Sequence, residues 1–174
     1  PPQPDGLWRT TYSKLKWQTP TGEDRYRRGL YTFLRRTSPY PSMITFDSTS
    51  REVCQIRRIR TNTPLQALVT LNDPVYVEAA GALAKTVMAA ETSAGLSEMF
   101  RRALIRPVST DELSELSNLF DEPLEEFQAS PAAAAELLHA AGLNNPLGNQ
   151  STRLAALTVV AGVVLNLDET LMRP

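Results

Sequence analysis

The chain has 174 residues, a net charge of −1, and 42% hydrophobic against 21% charged residues. That is enough chain for one domain with its own core, and too apolar a composition for a disordered segment. The overall charge by itself points to no nucleic-acid or membrane partner, and a lone cysteine, Cys54, leaves no disulfide within the chain.

The charge is unevenly spread. Residues 1–62 hold 12 Lys and Arg against 5 Asp and Glu, a net +7, whereas residues 63–174 hold 6 against 14, a net −8. A basic segment folded onto an acidic body is the favoured reading, ahead of two opposed electrostatic faces. The chain starts at Pro1 with no initiator Met and no leader of charged then apolar residues. A fragment of a larger multidomain protein is therefore expected.

In chain order, residues 1–22 open on "PPQPDG" and form an expected extended arm or linker, pinned by Trp8, Tyr12 and Trp17. Residues 23–174 are expected to form a single helical body. Tyr26, Leu30, Phe33 and Leu34 recur at helical spacing and predict a helix over Glu23–Arg36. "TSPYPSMITFDSTS" then predicts an ordered loop, because Tyr40, Met43, Ile44 and Phe46 need burial. Thr63 before Pro64 and Asp73 before Pro74 are cap-then-proline helix starts. The first helix should end near Leu71; the second carries Tyr76, Ala80, Leu83, Val87 and Met88 on one side. Leu96, Met99, Phe100, Ala103 and Leu104 mark another helix. Ser109 and Glu112 form a capping-box pattern ahead of Leu113, Leu116 and Phe120, with a break or kink expected at Pro123. Ser130–Pro131 starts a helix that stops at Gly142, and Ser151 leads the last one through Leu165. The run Leu154–Leu165, "LAALTVVAGVVL", is too short to span a bilayer and predicts the central buried helix. The fold class is all-α: an irregular bundle of about seven helices with an extended N-terminal arm.

Absent motifs narrow the chemistry. One His and one Cys cannot make an ordinary structural zinc site, and no C-x-x-C-H is present to attach haem c. No P-loop, G-x-G-x-x-G or G-x-S-x-G occurs. His139, in an alanine-rich helix, is expected to be structural. Cys54 has arginines three and four residues away, which favours a reactive thiolate, but a buried apolar role is the preferred reading.

The stretch "REVCQIRRIRTNTPLQALVTLNDP" holds the strongest functional candidates: Arg51, Arg57, Arg58, Arg60, Asn62 and Thr63. Val53, Ile56 and Ile59 predict an apolar edge, with Arg57 and Arg60 sharing another. In one reading the arginines are staples that pair with carboxylates and donate to loop carbonyls. In a second, they join the N–H groups of the following helix starts to hold a carboxylate, sulfate or phosphate. A third, nucleic-acid binding through basic residues interleaved with aromatics, is disfavoured by the acidic remainder. Were the domain an enzyme, Asp47, Glu52 or Asp73 would be its acid or base.

The words "SMITFD", "REVC", "RTNTPLQAL" and "LND", in that order, with "LNLDETLMR" near the end, closely resemble a C-terminal domain of unknown function of large planctomycete secreted proteins, the domain of unknown function 1553 family. The resemblance covers nearly the whole chain and is weak between about Thr92 and Ser151; Leu34 departs from the family's frequent Trp. It implies a parent protein exported to the periplasm or cell surface, with haem carried in an upstream module and no cofactor in this chain. It implies no reaction. The leading expectation is a non-catalytic helical accessory domain that docks with other domains of its parent or recognises an anionic glycan. The alternative is an enzymatic domain acting on a sulfated or carboxylated substrate through the arginine-rich site.

Overall fold

A computed structural model of the chain describes residues 2–3, 16–35, 37–49, 53–54, 56–57, 61–143 and 149–172. The fold is all-α: among these residues every regular element is helical. The α-helices are α1 (Pro41–Thr45), α2 (Pro64–Asn72), α3 (Pro74–Val87), α4 (Thr92–Leu104), α5 (Thr110–Ala129), α6 (Pro131–Ala140), α7 (Asn149–Leu165) and α8 (Asp168–Leu171). None of the helices among the described residues is long and apolar enough to cross a membrane. The chain divides into two compact units, Pro1–Gln66 and Ala67–Pro174.

In the first unit, the helix expected over Glu23–Arg36 does not form. Two short 3-10 turns, Gly22–Tyr26 and Gly29–Tyr31, stand in its place, and Tyr26, Leu30, Tyr31 and Phe33 are exposed. Gly29 falls mid-pattern and costs a helix roughly 1 kcal/mol against alanine. A segment this short also needs a buried face to persist, and this one is not buried. The expected loop over residues 37–50 contains the single-turn helix α1. Tyr40 is buried there, Met43 and Phe46 are half-buried, and Ile44 is exposed. Trp17 is half-buried, while Trp8 and Tyr12 lie outside the described residues.

In the second unit α7 packs against α3, α4, α5, α6 and α8. Leu154, Ala155, Ala156, Leu157, Val160, Ala161 and Val164 are all buried, so the helix is covered on several sides, as its unbroken apolar run predicts. Thr158, the polar residue within that run, returns its hydroxyl to the Leu154 carbonyl at 2.8 Å. Small side chains let neighbours approach: a Cβ on Gly81 of α3 would meet Ala141 Cβ at 2.8 Å. Phe100, Leu96, Met99, Leu116, Phe120, Phe127 and Leu138 complete the core. α6 ends in a Schellman motif, with Leu143 N–H on the Leu138 carbonyl and Gly142 N–H on that of His139; Gly142 has φ +69°. His139 itself is exposed near the end of α6.

Pro123 neither breaks nor ends α5, which runs on to Ala129. An interior proline costs about 3 kcal/mol. Burial of Leu116, Phe120 and Phe127 on either side, with Leu124 partly buried, offsets it. The Ser109–Glu112 capping box forms as its spacing predicts.

Candidate functional site

The chemistry of the first unit converges on one buried amide. Gln66, at the third position of α2, is 2% exposed. Its carbonyl oxygen accepts from Thr63 N–H at 2.8 Å, and the Thr63 hydroxyl accepts from Gln66 N–H at 3.3 Å. Thr63-Pro64-Leu65-Gln66 is therefore a capping box with glutamine in the usual glutamate place. The Gln66 amide nitrogen donates to the Thr45 carbonyl at 2.8 Å and to Thr61 Oγ1 at 3.1 Å. The Thr61 hydroxyl in turn donates to Asp47 Oδ2, which also accepts from Thr61 N–H, both at 2.8 Å. Asp47 takes φ 55°, a left-handed conformation that aspartate tolerates better than most side chains. The relay Gln66–Thr61–Asp47 thus ties α1, the loop after it and the start of α2 within one unit.

α2 is inside out. Leu65, Leu68 and Leu71 are 58%, 58% and 45% exposed, whereas Gln66 and Thr70 are 2% and 3% exposed. At about 100° per residue the three leucines cover an arc of about 120°, and the two polar residues sit opposite its centre. The inward polar groups are satisfied: Thr70 shares a 2.7 Å hydrogen bond with Asn166 and donates to the Ala67 carbonyl at 2.9 Å. The sequence of α2, "PLQALVTLN", contains no charged residue.

The predicted site residues do not come together as one described cluster. Arg51, Arg58, Arg60 and Glu52, and with them Ile59, lie outside the described residues. Arg57 is exposed, and no hydrogen bond or ion pair joins it to another described residue. Asn62 is exposed and engaged in an interaction of its own. Thr63 caps α2. Of the acid/base candidates, Asp47 is the acceptor for Thr61, and Asp73 caps α3 by accepting from Val75 N–H at 2.9 Å. Each accepts from a backbone N–H, Asp47 from one fourteen residues on and Asp73 from one two residues on. Val53, Ile56 and Cys54 are exposed, contrary to the predicted apolar edge and to a buried thiol. Charged side chains are costly to desolvate, and the exposed Arg57 keeps its neighbour Ile56 at water. Among the described residues no group of three or more His, Cys, Asp and Glu side chains is placed to hold a metal ion.

The strongest electrostatic feature lies in the second unit and was not singled out in the sequence. Arg106 forks onto Glu112 (2.6 and 3.0 Å) and Glu169 (both 2.8 Å), with its guanidinium 4.7 Å from the Phe100 ring centroid. The Arg106 hydrogen bonds, aided by Ser109, hold the Glu112 carboxyl down to about 2, and Arg106 likewise lowers that of Glu169. The cluster joins the loop after α4 to the starts of α5 and α8. It follows Ile105, whose φ of 62° is strained for a β-branched residue. Its three members are scattered over sixty-four positions, so no local pattern announces it. The Gln66 relay had a local signal, T-x-x-Q, which the proline beside it overshadowed.

No curated protein and no solved structure matches the chain. The model of one family, PSD1, "Protein of unknown function (DUF1553)", matches residues 1–120. That stretch holds α1 to α4, the Gln66 relay and most of α5, and the chain belongs to the DUF1553 family.

Proposed function

We propose that this chain is a non-catalytic helical accessory domain that docks onto another domain of its parent protein through the leucine face of α2. The inverted amphipathicity of α2 carries the reading. Fully burying a leucine is worth about 1.5–3 kcal/mol, and three of them stand in water on one turn-to-turn stripe. The i, i+3, i+6 spacing suits packing against a second helix, and the absence of charge on α2 calls for an apolar surface. The occupant is an amphipathic helix of a neighbouring domain, held by burial and therefore insensitive to salt. The setting is an exported parent at the periplasm or cell surface, with haem c carried upstream of this chain; it rests on the family resemblance. The hydrogen bonds that Asp47 accepts from Thr61 and Asp73 from Val75 N–H support docking over an acid/base role. The second reading, an anionic glycan or acidic substrate at the arginine-rich stretch, draws on the exposed guanidinium of Arg57, which pairs with no described residue.

The test labels Leu68→Cys with an environment-sensitive fluorophore in a Cys54→Ser background, because Cys54 is exposed. The label is compared in the 174-residue chain and in the parent protein. Docking predicts a water-like spectrum in the chain and an apolar one in the parent, unchanged by salt. Equal exposure in both proteins refutes it. An apolar spectrum in the chain that fades on dilution also refutes it, because the face then pairs with a second copy.

A further inference from the structure

The second unit contains an open cavity of about 460 Å³ whose chemistry is unlike that of α2. Its walls come from three helices: Thr92 starts α4, Phe120, Leu124 and Gln128 lie on one face of α5, and Thr152 and Arg153 lie in the first turns of α7. Phe120 and Leu124 sit four residues apart on α5 and give the cavity an apolar wall; Gln128, one turn further on, ends that wall with a carboxamide. Thr152 is buried.

Arg153 is the unusual member. It is half-buried, and its only hydrogen bond to a described residue runs from Nη2 to the Ala90 carbonyl at 2.7 Å. Nε is buried without a partner among the described residues. No carboxylate of a described residue lies within ion-pair distance, although the unit is rich in acids. The nearest carboxylate in sequence to its one anchor, Glu91, instead receives the Ser93 hydroxyl at 3.1 Å. A guanidinium drawn partly out of water and matched only by a carbonyl has its charge uncompensated. The other arginines among the described residues of this unit are paired: Arg101 and Arg102 share Glu98, and Arg106 takes Glu112 and Glu169. α4 also begins at this cavity without a side-chain cap from Glu91, which leaves the positive end of a thirteen-residue helix beside Thr92.

We infer that this cavity binds a small organic monocarboxylate with an aromatic or branched apolar body. The carboxylate lies against the Arg153 guanidinium, whose planar fork matches its two oxygens. The Thr92 hydroxyl and the start of α4 supply further donors. The apolar body covers Phe120 and Leu124, and Gln128 marks the open end. The volume falls within the usual range for small-ligand sites, roughly 300–1,000 Å³. A fully polar inorganic anion would satisfy Arg153 and leave the apolar wall wet. The site is independent of the docking face on α2.

Phenylacetate, phenylacetamide and inorganic sulfate serve as probes of the 174-residue chain, followed by amide and methyl NMR shifts. Phenylacetate should perturb Thr92, Leu124 and Thr152 in a saturable manner, and phenylacetamide, with the same ring and no charge, should bind at least tenfold more weakly. Arg153→Gln should weaken phenylacetate at least tenfold, and Arg153→Lys less so. The amide comparison needs no variant, so the test stands even if Arg153→Gln does not fold. Equal binding of phenylacetate and phenylacetamide overturns the inference. So does sulfate binding as tight as phenylacetate, which would make the cavity an inorganic-anion site, and so does the absence of shifts at these three residues.

Discussion

Replacing Gln66 with glutamate changes one amide nitrogen into an oxygen and tests the relay at the start of α2. The Gln66 oxygen that accepts from Thr63 N–H is retained, so the capping box survives. The nitrogen that donates to the Thr45 carbonyl and to Thr61 Oγ1 becomes an acceptor facing two acceptors. Thr61 cannot rotate to donate without releasing Asp47. Two lost hydrogen bonds at about 1 kcal/mol each, with a carboxylate held at 2% exposure, cost about 3 kcal/mol at pH 7. Protonation restores the donor, so the cost depends on pH. About 3 kcal/mol at 1.36 kcal/mol per unit raises the folded pKa of the introduced carboxyl about two units above its usual value of about 4.3. Because the folded pKa is raised, the variant should match the parent below about pH 4.3 and lose stability as pH rises towards about 6.5. Both tryptophans, Trp8 and Trp17, lie in the first unit, so their fluorescence reports its urea unfolding. The parent-minus-variant difference is read at pH 7 and pH 4, which cancels titrations common to both proteins. A variant as stable as the parent at pH 7, or a loss independent of pH, refutes the relay.

Two further substitutions test the second unit. Leu157→Asp places an unpaired carboxylate in a position 1% exposed and should cost at least about 4 kcal/mol, read from the loss of helical circular dichroism at lower urea; a midpoint within experimental error of the parent would show that α7 is peripheral. Arg106→Met addresses acid stability. Glu112, held down to about 2 by Arg106, contributes stability that is present above its unfolded value of about 4.3 and is lost as pH falls through about 2. The parent should therefore weaken between about pH 4.5 and 2, and the variant should show a flatter acid limb; identical slopes would mean that Arg106 does not couple to either glutamate.

Local patterns determined which segments from Pro64 onward are helical. Pro64, Pro74 and Pro131 open helices, Ser109 with Glu112 caps α5, and Gly142 closes α6. These signals act within four or five residues and need no neighbour. The apolar run 154–165 could only be a buried helix, because no face of it suits water. Membership in the DUF1553 family was likewise legible from short ordered words.

Tertiary packing decided the rest. Periodicity at 23–36 asked for a helix, but a pattern supplies only a face to bury; with Tyr26, Leu30 and Phe33 left exposed, Gly29 and the nucleation cost prevail. Pro123 asked for a break or a kink, and the core on both sides of it kept α5 unbroken. α2 shows the limit most clearly: "PLQALVTLN" has leucines at i, i+3 and i+6, and an observer of the sequence alone would turn them inward. The structure turns Gln66 and Thr70 inward instead, because Thr61 nearby, and Thr45 and Asn166 far away in sequence, complete their hydrogen bonds. A sequence states which side chains can be buried; only the partners that meet them in space decide which ones are.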